Sequence, residues 1–123
     1  RDGSGKCDAE RTEDQADRVY GVLFEITHID KLALDKVEGV GEGYEEKSVE
    51  VITPESKIVA LTYVATKKDA NRKPFHWYKA YAVAGAMEHD LPDDYVAWLR
   101  SFESVQDPQV RRRKQNEALL AAT

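Results

Sequence analysis

A chain of 123 residues is one domain's worth of sequence, long enough to bury a core without metals or disulfides. Apolar residues make up 41% and charged residues 33%, so the mean hydropathy of -0.62 reflects charged runs, and no stretch approaches the ~20 apolar residues of a membrane-spanning helix. A formal charge of -5 argues against a general nucleic-acid binder, and one cysteine, Cys7, leaves no intrachain disulfide and no cysteine metal cluster.

Residues 1–17 carry few large apolar side chains and read as loop, with a short strand expected near Lys6–Ala9. They are polar throughout, without a signal-peptide pattern, and a start at Arg1 rather than methionine predicts further sequence upstream. The lack of cysteine pairs fits a reducing cytoplasm, the compartment we expect. Val19–Ile26 is nearly continuously apolar and predicts a strand buried on both faces. Asp30 then serves as an N-cap for a short helix over Asp30–Glu38, with Ile29, Leu32, Ala33 and Val37 at helical spacing. Gly39 suits the left-handed position just past the helix, which leaves Glu38 at its very end.

Three glycines within Gly39–Gly43 demand a loop. Tyr44–Thr53 alternates like a half-buried strand, Pro54–Lys57 supplies a turn, and Ile58–Thr66 is a second apolar strand, so a hairpin is expected. Lys67–Pro74 reads as a basic loop. Phe75–His89 is a helix with Trp77, Tyr81, Ala84 and Glu88 on one stripe and Tyr78, Ala82 and Gly85 on the next. Small residues at Ala82, Gly85 and Ala86 would admit a close neighbour. Pro92 fits the first position of a helix running to Phe102, with Tyr95, Trp98, Leu99 and Phe102 as its apolar side. Asp107-Pro108 looks like the start of a tail helix. Strand, helix, hairpin and then helices define an α+β chain.

Most candidate sites reduce to structure. His28, His76 and His89 form no close pair or metal-binding motif, so no metal is expected. Asp93 and Asp94 suit the positive end of a helix dipole. The glycine-rich loop carries no phosphate-binding pattern, and Cys7 has no basic or histidine partner to activate it. Trp77, Tyr78 and Tyr81 could stack on RNA bases, but aromatics beside alanines on a helix are more often core. The basic run Arg111–Lys114 reads as a solvated helix face, with a nucleic-acid or partner-binding adaptor as the weaker reading. Glu38 differs. It ends a helix, follows an apolar run and precedes a glycine-rich loop, a setting that suits general acid/base work, although taken alone a glutamate there is more often simply solvated.

The runs VYGVLF (19–24), LDKVEG (34–39) and Gly43-Tyr44 together resemble the central motif of gamma-glutamylcyclotransferases. In that family a V-x-G-x-x-[FWY] strand leads to a helix ending in L-D-x-x-E-G, and a glycine and tyrosine open the next strand. Downstream, Tyr78 with Gly85-Ala86, and Leu91-Pro92 with Tyr95 and Leu99, match two family helices. The resemblance spans roughly Val19 to Phe102.

It implies a mixed β-barrel with flanking helices, short of its first strand or strands, as a single domain over residues 1–123 with a helical tail at 108–123. It also implies release of 5-oxoproline from a gamma-glutamyl amino acid or amide, the substrate's own amine attacking its γ-carbonyl. Such chemistry needs no cofactor. Glu38 takes the catalytic position, and Tyr44, Tyr78, Gly39 and Gly43 the substrate-binding ones. The family's Y-G-S-N loop is absent from these 123 residues, so the expectation is a fragment or a shortened relative. The alternative is a non-catalytic ligand-binding or interaction module on the same fold. The expected partner is a small gamma-glutamyl molecule, with no nucleic acid and no membrane; a homodimer or strand-exchanged oligomer follows from the open sheet edge.

Overall fold

A computed structural model describes residues 4, 6, 12, 14, 16–38, 40–41, 43–66 and 71–122. The elements run α1 (His28–Glu38), β1 (Tyr44–Ile52), β2 (Lys57–Ala65), α2 (His76–Glu88), α3 (Asp93–Ser101) and α4 (Val110–Ala121). The α+β class holds, as a partial fold. The chain divides into two compact units, Cys7–Lys68 and Arg1–Lys6 with Asp69–Thr123. The strand expected near Lys6–Ala9 falls mostly outside the described residues.

In the first unit, α1 begins two residues before the expected Asp30. Thr27 is its cap: the hydroxyl accepts from the Asp30 amide at 3.2 Å and its carbonyl from Lys31 N–H at 2.9 Å. The far end closes with the Val40 amide on the Asp35 carbonyl at 3.1 Å, the six-to-one bond of a Schellman-type end. Gly39, between them, lies outside the described residues.

The hairpin forms as expected. β1 and β2 pair antiparallel from Tyr44 opposite Ala65 to Ile52 opposite Lys57. Thr53 builds the turn: its hydroxyl oxygen accepts from the Ser56 amide at 3.0 Å, and its own amide donates to the Ser56 carbonyl at 2.8 Å. At the open end Gly43 holds φ 132°, a conformation glycine adopts without strain, and its carbonyl accepts from the Thr66 amide at 2.8 Å.

Two expectations fail here. Val19–Ile26 joins no sheet among the described residues, and Val19 and Leu23 are 64% and 47% exposed. A strand needs hydrogen-bonded neighbours, and an apolar run cannot specify them. On α1, Ile29, Leu32 and Val37 point to solvent, and its half-buried residues are Lys31, Asp35 and Glu38. The helix turns a charged stripe toward the hairpin, where Lys31 pairs with Glu46 and the Tyr63 hydroxyl donates to Asp35.

In the second unit α2 packs against α3 and α4 around a small core of Phe75, Ala86 and Val96. A pair of bonds ties the start of α2 to the segment before α4, His76 N–H to the Val105 carbonyl and Val105 N–H to the Pro74 carbonyl, both at 2.9 Å. Pro92 occupies the cap of α3 rather than its first position, since Asp93 is the first helical residue. Helix α2 ends as α1 does, with Leu91 N–H on the Ala86 carbonyl at 2.9 Å and Asp90 left-handed at φ 54°. The close approach expected at Gly85 is absent, for a Cβ there would meet open space.

Asp107 does not cap α4 directly, because the helix starts at Val110 with Gln109 in the cap position. Its carboxylate is instead buried. It accepts from Arg112 Nε and Nη2 at 2.6 Å each, from Trp77 Nε1 at 2.9 Å and from the Gln109 amide at 2.9 Å. Arg112 is thereby withdrawn from the basic run, which is not a uniformly solvated face. The Arg112 guanidinium holds the Asp107 carboxyl far below the usual carboxylate range, against the opposing effect of burial; Trp77 and the Gln109 amide add to it.

With the folded value below the unfolded ~3.9, the unfolded state binds more protons in acid. The contribution is complete above that value and is lost as pH falls toward the folded one. Melting temperature is therefore expected to drop below about pH 5 more steeply in the wild type than in Asp107→Asn. Parallel pH profiles for the two proteins would contradict this role.

Candidate active site

Helix α1 and the start of β1 build the candidate site. Lys31, Asp35 and Glu38 fall at i, i+4 and i+7, one stripe of the helix, and all three are half-buried. Tyr44, Glu46 and Tyr63 share one face of the hairpin, with Glu46 directly opposite Tyr63.

Charge joins the two elements. Lys31 Nζ donates to Asp35 Oδ1 at 2.5 Å and also pairs with Glu46 on β1. Tyr63 on β2 donates its hydroxyl to the same Asp35 oxygen, and Lys31 Nζ lies 5.5 Å from the centre of the Tyr63 ring. Bonds to Asp35 and then Glu46 push the Lys31 ammonium above its ordinary range. Asp35 is lowered, chiefly by Lys31 and then by Tyr63. Burial first, and the bond to Asp35 second, raise the Tyr63 phenol. Each group is thus fixed in the protonation state its partners require.

Glu38 lies about one turn beyond Asp35, and its carboxylate takes part in no hydrogen bond or ion pair among the described residues. Past it, Val40 bridges to Tyr44, and Gly41 N–H donates to the Tyr44 carbonyl at 2.8 Å, so the loop folds directly back onto β1. Glu38, Gly43 and Tyr44 therefore belong to one unit, tied by backbone bonds. Tyr78 belongs to the other unit, in an edge-to-face contact with Trp77 at 6.1 Å and 5.2 Å beneath Lys6 Nζ. No group of three or more metal-ligating side chains occurs among the described residues. No helix there is long and apolar enough to cross a membrane.

Lys31, Glu46 and Tyr63 were not singled out from the sequence. The i, i+4 spacing of Lys31 and Asp35 was a local signal. The reach to Glu46 and Tyr63 needed the hairpin register.

A glutamate thus ends α1, and the loop after it folds back onto a strand that opens with Tyr44. The chain belongs to the AIG2-like family, whose sequence profile matches residues 18–99. It is 36% identical over 93 residues to gamma-glutamylcyclotransferase of Bos taurus, covering 74% of this chain and 49% of that protein. The Homo sapiens gamma-glutamylcyclotransferase is 34% identical over 89 residues, covering 71% and 47%. The chain thus spans about half the length of the curated relatives it matches. Among solved structures, a gamma-glutamyl cyclotransferase superposes with a TM-score of 0.69 at 26% identity, over 80% of this chain and 58% of the other. A Homo sapiens protein described as uncharacterized gives 0.66 at 28% identity, over 76% and 55%.

Proposed function

We propose that the protein carrying this chain releases 5-oxoproline from a gamma-glutamyl amino acid or amide, with Glu38 as general acid/base. The observation that carries the reading is the placement of Glu38. It is the terminal member of the charged stripe that α1 turns toward the hairpin, next to the loop that returns to Tyr44. The family and the names of its relatives agree with that chemistry.

In the proposed reaction the substrate's neutral α-amine attacks its own γ-carbonyl. The new C–N bond closes the five-membered ring. Glu38 takes the proton from the attacking nitrogen and gives it to the leaving nitrogen as the old C–N bond breaks. Attack within one molecule needs orientation rather than an enzyme nucleophile. Gly39, Gly43 and Tyr44 are the proposed substrate-binding residues of this unit.

The test is turnover of a gamma-glutamyl dipeptide, read as 5-oxoproline, by the natural full-length protein with and without chelator. Equal turnover is expected under both conditions and without added nucleotide. Absence of turnover would favour a ligand-binding or interaction module. Turnover lost in chelator and restored by a divalent ion would replace the proposed chemistry with metal-assisted hydrolysis.

A further inference from the structure

We infer that Asp35, held by Tyr63 and Lys31, is a positioning residue that sets the rotation of α1 and so aims Glu38. The inference rests on the acid/base reading of Glu38. Asp35 gathers bonds from its own helix through Lys31 and from β2 through the Tyr63 hydroxyl, and Lys31 extends the link to Glu46 on β1. One helical side chain is thereby connected to both strands of the hairpin.

Among the described residues, apolar packing does not fix this rotation. Ile29, Leu32 and Val37, which could anchor the helix by burial, are 78%, 56% and 76% exposed. The orientation rests on the polar clamp. Glu38 follows Asp35 by three residues, about 4.5 Å along the axis and about 60° around it. A turn of α1 that separates Asp35 from Tyr63 therefore moves the Glu38 carboxylate sideways by a similar arc. Proton transfer between two nitrogens of one substrate tolerates little of that, since a misplacement of about 1 Å can cost ~100-fold in rate.

The backbone end of α1 adds to the device. The Asp35 carbonyl receives the Val40 amide while the Asp35 side chain receives Tyr63. One residue thus closes the helix behind Glu38 and fastens the helix to the sheet.

Two substitutions test this in the full-length protein, Tyr63→Phe and Asp35→Asn. Tyr63→Phe keeps the ring and removes only the hydroxyl. Each is expected to lower kcat at least about tenfold with KM within about twofold, and the double variant to lose little more than either single one. Wild-type kcat in both single variants would overturn the inference. So would a loss that appears only when the variant has melted at the assay temperature.

A second readout does not depend on turnover. In the full-length protein with Cys7 and every other native cysteine replaced by serine, and with Glu38→Cys, the introduced thiol should be alkylated at least about threefold faster once Tyr63→Phe is added. Equal labelling rates would overturn the positioning role even if the wild type turns over substrate. Faster labelling in a protein whose wild type shows no turnover would uphold the clamp and reject the acid/base reading instead.

Discussion

Glu38→Gln is expected to lower 5-oxoproline release at least ~100-fold, the lower range for removal of a general acid/base. Glutamine nearly preserves the shape of the side chain but can neither accept the proton of the attacking amine nor return it to the leaving nitrogen. The fold has little reason to notice. Among the described residues the Glu38 carboxylate is engaged in no ion pair or hydrogen bond, so its replacement strands no partner. The melting temperature should stay the same or rise slightly, because a negative charge at the C-terminal end of a helix opposes the dipole. Kinetics and a melting curve on the same preparation separate the two effects. A glutamine variant that turns over substrate at the wild-type rate would remove Glu38 from the mechanism.

Phe75→Ala is expected to be the most destabilising single truncation in the helical unit, at ~3–5 kcal/mol for a buried phenylalanine. Phe75 is 4% exposed, lies 6.0 Å from Trp77 between ring centres, and carries the Arg112 guanidinium 5.0 Å above its ring. Truncation would open a cavity beneath the same arginine that holds Asp107. It would also loosen the start of α2, where Phe75 stands beside the bridge to Val105. Against the usual ~5–15 kcal/mol of a folded domain, that loss is large. Ile52→Ala, at a position 77% exposed, should change stability by less than ~0.5 kcal/mol. Urea unfolding of the two variants beside the wild type measures both, and similar midpoints for all three would contradict this account of the core.

What the sequence disclosed follows from how local each signal is. The hairpin was legible because alternation and turn residues act within a few positions, and the helices because their periodicity does, although their caps were misplaced. Glu38 at the end of α1 was legible for the same reason. The run Val19–Ile26 was misleading, since hydrophobicity states a preference for burial without naming the surface that provides it. The apolar residues of α1 misled in the same way. Lys31, Asp35 and Tyr63 win the inward face through bonds spanning up to 28 positions, and spacing within a helix cannot anticipate those. Asp107 shows the same limit. Its place beside Pro108 suggested a helix cap, whereas its partners Trp77 and Arg112 lie 30 and 5 residues away.

The turn at Thr53 has a consequence for the order in which the molecule assembles. A hairpin closed by a four-residue turn forms in roughly 1–10 μs, ahead of contacts between distant parts of a chain. The Thr53 hydroxyl and amide bond to Ser56 within that turn and hold the alignment of the two strands on which α1 docks. A slip of one residue would send the side chains of one strand to the opposite face. If β2 slipped, Tyr63 would point away from Asp35 while Glu46 stayed in place, and the helix could be held by Lys31 alone. Such a chain would keep nearly all its secondary structure and leave its glutamate misaimed. A threonine far from the proposed chemistry therefore bears on the site through the strand register that its turn holds.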